Sequence, residues 1–277
     1  MKFTTSTLAA LASCVFTASA WAAPTVFTTF EAAGANPAAI TAMRDDFRSA
    51  LGGGTVAGAN GSFGGLRREI NWDGVPDARS DPNALPANFF NVKSPRGAVF
   101  STPGSGFMVS AKVSSGTPAM FGFASDFQAF SAERLFTAIS SNITDVSFFV
   151  PGTTTAATTS GFAAIFVDVE EAGQTKLEFF NTAGDLIYTR DALVAGNQGL
   201  SFLGAMVSDG ELISRVRLTS GRNTITANGV LGNPFDDVVV MDDFLYAEPL
   251  AAVPEPSTWA LTLVGLLGLL TARRRQK

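Results

Sequence analysis

The chain has 277 residues, of which 46% are hydrophobic and 16% charged, so it has enough apolar material to build a folded domain. It contains no histidine, which excludes Ser-His-Asp and Cys-His catalysis and histidine-based metal sites. The ends hold five of the 19 basic and one of the 24 acidic residues, so the stretch between them is about nine charges negative; this predicts no nucleic-acid partner and favours cations or neutral ligands.

The first 23 residues have the layout of a secretory signal peptide. Lys2 precedes an uncharged apolar stretch, and an A-x-A pattern places the cleavage region at Ala18, Ala20, Ala22 and Ala23. This predicts a signal helix over 1–23, use of Sec-type export machinery and cleavage after Ala20 or Ala23. A buried first helix is one alternative. Lipidation is another, because the segment 11–14, which ends at the single cysteine Cys14, resembles a bacterial lipobox, although the apolar segment before it is short and apolar residues continue after it.

An amphipathic helix is predicted over about 37–51, near the start of an exported domain that spans residues 24–250. Asn36 is able to cap this helix, and Pro37 suits its first position. Apolar residues then follow at spacings of three and four positions, until three glycines end the pattern: Ile40, Met43, Phe47 and Leu51. The apolar stripe is narrow, so we expect the helix to pack on the outside of a larger body.

Turn-forming residues are densest in the stretch 52–96, which is predicted to be a loop. Its oxygen-bearing side chains are numerous enough to bind a hard cation such as Ca²⁺, although their spacing is not that of an EF-hand; they are Asp73, Asp77 and Asp81, with Asn71 and Asn83. The alternative is an ordered structural loop. Three aromatic residues here are suited to stacking on sugar rings if exposed, or to packing in the core if not: Trp72, Phe89 and Phe90.

Short apolar runs separated by turns fill residues 97–248. Their even spacing, without intervening helices, favours antiparallel strands. The segment 179–188 (FFNTAGDLIY) has the strongest hairpin pattern, and in 213–219 (ISRVRLT) apolar residues alternate with two arginines. We therefore predict a mainly β domain, a jelly-roll-like antiparallel β-sandwich with one N-terminal peripheral α-helix.

Two acidic groups flank predicted strands in this region: Asp168, Glu170 and Glu171, and Asp236, Asp237, Asp242 and Asp243. Paired carboxylates hydrolyse glycosides, so a secreted carbohydrate-active enzyme is one hypothesis. The ends of sandwich strands also carry acidic residues as turn formers or calcium ligands. Because nothing in the sequence places an acid opposite a base, we expect a domain that is not an enzyme.

The last residues, 251–277, differ from the domain before them. An uncharged segment at 257–272 would cover about 24 Å as a helix, against about 30 Å for the hydrocarbon core of a bilayer, so it suits a transmembrane helix that is held only briefly. Three basic residues are predicted to stop it at the cytoplasmic side: Arg273, Arg274 and Arg275. The flanking prolines prevent a helix from running through Glu255 and hold it extended at the membrane surface.

This tail resembles the PEP-CTERM sorting signal, which consists of a short motif, an apolar helix and an arginine cluster at the end of an exported protein. The motif residues are Val253, Pro254, Glu255 and Pro256. The resemblance implies recognition by an exosortase, an inner-membrane transpeptidase-like enzyme, with processing near the motif. It also implies a Gram-negative host that makes exopolysaccharide. The body is loosely similar to lectin-like and carbohydrate-binding β-sandwiches, but no motif in it specifies a sugar.

These patterns predict an exported, exosortase-processed protein of the cell surface or extracellular matrix. Its β-sandwich would be non-catalytic and would interact with exopolysaccharide or with neighbouring proteins, with Ca²⁺ as the one cofactor that the sequence suggests. Two alternatives stay open: a secreted carbohydrate-active enzyme that uses an Asp/Glu pair, and a periplasmic domain that its C-terminal helix anchors permanently.

Overall fold

The computed structural model describes residues 24–251, which form antiparallel β-sheets with few helices. The strands are β1 Val26–Gly34, β2 Ser62–Phe63, β3 Arg67–Ile70, β4 Ala98–Ser101, β5 Gly106–Val109, β6 Phe136–Ile139, β7 Ile143–Phe148, β8 Ala157–Thr158, β9 Gly161–Val167, β10 Lys176–Phe180, β11 Leu186–Asp191, β12 Leu200–Asp209, β13 Arg215–Thr219, β14 Val240–Ala247 and β15 Leu250–Ala251. The α-helices are α1 Pro37–Leu51 and the single turn α2 Phe89–Val92, and short 3₁₀ helices lie at Ala59–Gly61, Asp77–Arg79, Val113–Ser115 and Met120–Gly122. Within 24–251, no helix has the length and apolar character needed to cross a bilayer. The helices predicted at 1–23 and 257–272 lie outside the described residues.

Two antiparallel sheets face each other across a common core. The eight-stranded sheet has the order β1-β12-β9-β14-β3-β2, and β6 and β5 extend it from β14. The five-stranded sheet has the order β11-β10-β13-β7-β4, and β8 and β15 form a separate pair. From β7 to β14 the chain crosses repeatedly between the two sheets. The prediction of a mainly β domain built from antiparallel strands is confirmed.

The core between the sheets is dominated by aromatic side chains from both of them. Phe162 of β9 contacts Phe179 of β10 with ring centroids 6.4 Å apart, and Tyr246 of β14 lies 5.5 Å from Phe148 of β7. All four side chains are buried. Because neighbouring residues on a strand point to opposite faces, every second position of β9 enters this core.

The opposite face of the eight-stranded sheet is covered by α1, at the position predicted for the helix. Its buried residues Ile40, Phe47 and Leu51 belong to a second core that includes Ile165 of β9 and Phe202 of β12. Every residue of β9 is therefore buried, which explains why its sequence is continuously apolar rather than alternating.

The ends of α1 follow the sequence signals in part. The helix begins at Pro37, but the side chain of Asn36 donates or accepts no capping hydrogen bond. At the other end, Gly52 has a φ of 83°, a conformation that glycine adopts without strain, and its N–H donates to the carbonyl of Arg48 at 2.9 Å. The glycine stop is confirmed, whereas the capping role of Asn36 is not.

The hairpin and the alternating strand that the sequence indicates are both present. Strands β10 and β11 pair antiparallel, and Asn181 closes the turn because its Oδ1 accepts a hydrogen bond from the N–H of Asp185 at 2.8 Å. In β13 the apolar residues are buried, while Arg215 and Arg217 lie on the outer face and donate to Asp145 at 2.7 and 2.9 Å.

The prediction of a loop over 52–96 is wrong in part, because β2, β3 and α2 lie within it. Strand β3 pairs with β14, with Ile70 opposite Phe244. Its charges are neutralised in the fold: Glu69 accepts hydrogen bonds from the Nε atoms of Arg48 at 2.8 Å and Arg67 at 2.7 Å. A charged sequence can thus form a strand beside the core when its charges pair with one another.

Strand β1 lies outside the predicted strands and forms one edge of the eight-stranded sheet. Phe27 reaches across to Tyr188 of β11, with ring centroids 4.9 Å apart, and the guanidinium of Arg190 donates to Glu31 at 2.5 Å. These contacts join the edges of the two sheets. The threonine, valine and phenylalanine residues of β1 have high strand propensity, and this propensity is the sequence feature that indicates a strand here.

Candidate functional site

Two acidic groups that are far apart in sequence meet at one end of the eight-stranded sheet. Asp168 directly follows β9, and Asp237 lies shortly before β14. The two strands pair antiparallel with Val167 opposite Val240, so the end of one lies beside the beginning of the other. In the part of the chain that the structure describes, the group of potential metal ligands found within 4.8 Å of one another consists of Asp168, Glu170 and Asp237.

Backbone N–H groups hold two of these carboxylates in place. The Oδ1 of Asp168 accepts a hydrogen bond from the N–H of Gln198 at 2.7 Å. The Oδ2 of Asp237 accepts from the N–H groups of Glu170 and Glu171, each at 3.2 Å. Asp168 has a φ of 74°, a left-handed conformation that aspartate tolerates better than most residues. The loop after β9 therefore turns sharply and brings its acidic residues against Asp237.

Burial and mutual repulsion both act on the carboxylates of this cluster. Burial, followed by repulsion from Glu170 and Asp237, raises the pKa of Asp168 to about 7, against the opposing effect of the hydrogen bond from Gln198. Burial also raises the pKa of Asp237. The cluster is thus unfavourable when fully ionised, and protonation or a cation would relieve it.

The three residues predicted as calcium ligands are not gathered into such a group. Asp77 accepts a hydrogen bond at 2.5 Å from Arg134, whose side chain is fully buried. Asp73 is partly buried, and burial raises its pKa to about 6. Burial also raises the pKa of Asp81. The carboxylate of Asp77 is already paired with the guanidinium of Arg134. The arrangement of Asp73, Asp77 and Asp81 therefore gives no support to a calcium site there, and that site stays a prediction.

The other acidic residues near β14 form a buried pair. Asp242 is fully buried, and its Oδ2 accepts from the N–H groups of Phe130 at 2.6 Å and Ser131 at 3.3 Å. The hydroxyl of Ser131 lies within hydrogen-bond distance of both Asp242 and Asp243. Burial, followed by the charge of Asp243, raises the pKa of Asp242 well above its usual range, and burial also raises that of Asp243. The pair is therefore expected to keep a proton to a higher pH than two exposed aspartates would.

Asp243 faces a cleft of about 480 Å³ between α1 and the segment around β2 and β3. The polar side chains on its walls include Arg44, Arg48, Glu69 and Asn71. Two aromatic residues, Phe63 and Phe130, also line it. Sites for small ligands commonly combine aromatic side chains with a few polar groups, and this cleft has both.

The aromatic residues considered for sugar stacking are core residues. Trp72 is 1% exposed, and it stacks on Phe136 with ring centroids 4.1 Å apart and planes 2° from parallel. Phe90 packs edge-on against Trp72, and Phe89 against Phe90. Of the two alternatives for these three residues, packing in the core is the one that the structure has, because the turn-rich segment folds them inward. The conspicuous exposed aromatic is instead Phe235, which is 93% exposed.

Comparison with known proteins bears on the tail of the chain. A family model described as the PEP-CTERM protein-sorting motif matches residues 252–276. The chain carries a PEP-CTERM sorting motif. No curated protein and no solved structure matches the chain. The likeness of the body to lectin-like domains therefore stays a prediction.

The PEP-CTERM motif identifies an exosortase-targeted, exported protein that is processed in association with the membrane. The match contains the predicted processing and stop residues, which lie outside the described part of the chain: Val253, Pro254, Glu255, Pro256, Arg273, Arg274 and Arg275. The predicted signal-cleavage residues also lie outside it: Ala18, Ala20, Ala22 and Ala23.

Proposed function

We propose that this chain is a non-catalytic protein of the cell surface or extracellular matrix, released there after an exosortase removes its tail. The match of residues 252–276 to the PEP-CTERM motif carries this proposal. The position of the motif supports it as well. The last described strand, β15, ends at Ala251, directly before the motif begins. Processing near Pro254 would thus separate the tail without removing any of the described strands from the domain.

The strand pairing supports a jelly-roll-like β-sandwich as the body that is released. Four antiparallel pairs are nested along the chain: β3 with β14, β7 with β13, β9 with β12, and β10 with β11. Successive pairs in this series lie in opposite sheets. This is the arrangement of one long two-stranded ribbon rolled into two facing sheets, which is how a jelly roll is built.

Substitution of the glutamate in the sorting motif tests the processing step. In the native host, Glu255→Ala is expected to leave most of the protein with its tail attached, because the acidic group between the two prolines is then lost to the enzyme. Immunoblotting of membrane and released fractions would measure the two forms.

The matched control is Leu250→Ala, which removes an exposed side chain just before the motif. It should be processed like the wild type. Normal processing of Glu255→Ala, or equal accumulation of the tailed form in the control, would contradict the proposed role of the motif.

The cleft beside α1 favours binding of a carbohydrate as the activity of the released domain. Its walls combine arginine, glutamate, asparagine and aspartate side chains with two phenylalanine rings. Arg44 already stacks over one of them, with its guanidinium 4.9 Å from the ring centroid of Phe130. Such groups offer hydrogen bonds to hydroxyls and an apolar face to a sugar ring. Exopolysaccharide is the ligand that the sorting class suggests.

A glycan array probed with the purified protein tests this activity. We expect binding to a polysaccharide class, and about tenfold weaker binding for Arg44→Ala, because a hydrogen bond from a charged group contributes about 1.5 kcal/mol. Asp46→Ala, on the exposed face of α1, is the control and should bind normally. Absence of binding would exclude carbohydrate as the ligand, and release of reducing sugars would contradict the non-catalytic proposal and favour the alternative of a carbohydrate-active enzyme.

A further inference from the structure

We propose that Asp168, Glu170 and Asp237 bind a calcium ion at the end of the eight-stranded sheet. The inference does not depend on the sorting motif, because all three residues belong to the described domain. It also concerns a place different from the calcium site that the sequence predicts, where Asp77 is paired with Arg134.

The spacing of the three carboxylates suits a calcium ion. One oxygen from each lies within 4.8 Å of the others. Calcium binds oxygen ligands at about 2.3–2.6 Å, so two of its ligands lie at most about 5.2 Å apart and one ion can contact all three carboxylates. Magnesium demands near-ideal octahedral geometry and usually keeps several water ligands, whereas calcium accepts irregular sets of oxygen ligands. Calcium is therefore the better match for carboxylates that two separate loops supply.

A buried carboxylate oxygen without a partner points to the same conclusion. Asp237 is 7% exposed, and its carboxylate faces those of Asp168 and Glu170. Its Oδ2 accepts two backbone hydrogen bonds, whereas its Oδ1 is buried and has no hydrogen-bond partner among the described residues. An unsatisfied buried oxygen on a charged group is costly, and a coordinated cation would satisfy it.

No basic side chain in residues 24–251 forms an ion pair with any of the three carboxylates. The nearby arginine, Arg222, is used by the flanking acids: its guanidinium lies 3.3 Å from Glu171 and 3.9 Å from Asp236. Arg222 thus neutralises the neighbouring acidic residues, and the central three carboxylates have no counter-charge among the described residues. A divalent cation would supply that charge.

The site is built before the ion arrives. Backbone N–H groups orient Asp168 and Asp237, and the left-handed conformation of Asp168 fixes the turn that carries Glu170. Glu170 is exposed, so water can reach the ion and complete its coordination. A partly open site of this kind is typical of extracellular modules, which bind calcium with dissociation constants of about 10⁻⁴–10⁻³ M.

Calorimetric titration of the purified full chain, in mild detergent and after treatment with a chelator, tests the site. We expect calcium chloride to bind once per chain, more tightly than magnesium chloride, and a saturating calcium concentration to raise the melting temperature by about 3–10 °C. Glu170→Gln and Asp237→Asn should each weaken binding by at least about tenfold. The control Glu171→Gln, which removes the adjacent acid paired with Arg222, should bind normally.

Glu170 is exposed, so its variant keeps the test interpretable if Asp237→Asn fails to fold. Absence of both calcium heat and a melting shift in the wild type would overturn the proposal. So would unchanged affinity in Glu170→Gln, or magnesium binding as tight as that of calcium. Calcium binding that is lost in Asp81→Asn but kept in Glu170→Gln would place the ion at the site predicted from the sequence and overturn this one.

Discussion

Replacement of Trp72 by alanine is expected to lower the free energy of unfolding by about 3–5 kcal/mol, the range for removal of a fully buried large aromatic side chain. The indole stacks on Phe136 at 4.1 Å and packs edge-on against Phe244 at 5.1 Å, so its loss opens a cavity among aromatic rings. It also leaves the carbonyl of Asp242 without the 2.8 Å hydrogen bond from the indole N–H. Denaturant unfolding followed by far-ultraviolet circular dichroism measures the loss.

The control for Trp72→Ala is Phe235→Ala, since Phe235 is the described aromatic that solvent surrounds almost completely. Its truncation should change stability by less than about 0.5 kcal/mol. If the two variants were equally stable, Trp72 would not belong to the core, and the sugar-stacking interpretation of this residue would return.

Replacement of Asp242 by asparagine is expected to remove part of the pH dependence of stability and to stabilise the domain at about pH 8 relative to the wild type. Burial raises the pKa of Asp242 in the folded state, so over the window between its unfolded and folded pKa values the folded protein holds a proton that the unfolded chain has lost. Stability from this residue is therefore greatest at acidic pH and falls as the pH rises, by about 1.4 kcal/mol for each pH unit of that window.

Asparagine imitates the protonated form of Asp242. Its carbonyl oxygen can accept the hydrogen bond from the N–H of Phe130, and its amide can donate toward Asp243. Melting temperatures measured between about pH 5 and pH 8 should fall less for Asp242→Asn than for the wild type. Asp46→Asn, on the exposed face of α1, should follow the wild type. Parallel curves for Asp242→Asn and the wild type would show that Asp242 is ionised throughout.

The parts of the fold that the sequence predicts well are those in which one periodicity dominates. The stripe of α1 and the alternation of Val216 and Leu218 with arginines in β13 each indicate one buried face, and the structure has those faces. The sequence does not indicate strand β3, because the charged residues Arg67 and Glu69 interrupt the apolar pattern of a strand. In the fold Glu69 pairs with both Arg67 and Arg48, and local sequence does not reveal the contact with Arg48.

The candidate cation site could not be predicted from the sequence. Both of its acidic groups are visible as composition, but Asp168 and Asp237 meet only because β9 pairs with β14 in one register. The number of oxygen-bearing side chains favours a site at Asp73, Asp77 and Asp81 instead. There the buried Arg134 pairs with Asp77, and this contact is not visible in the sequence. Strand pairing and the position of counter-charges decide which acidic residues converge, and neither is a local property.

Intact-mass spectrometry of the exported protein tests the central claim most directly. The account predicts a mass that lacks the apolar segment and arginine cluster of 257–277 in a host that contains an exosortase, and a mass that retains them when the exosortase gene is deleted. A released or surface protein that keeps residues 259–277 in the exosortase-containing host would contradict tail removal and favour a permanently anchored domain.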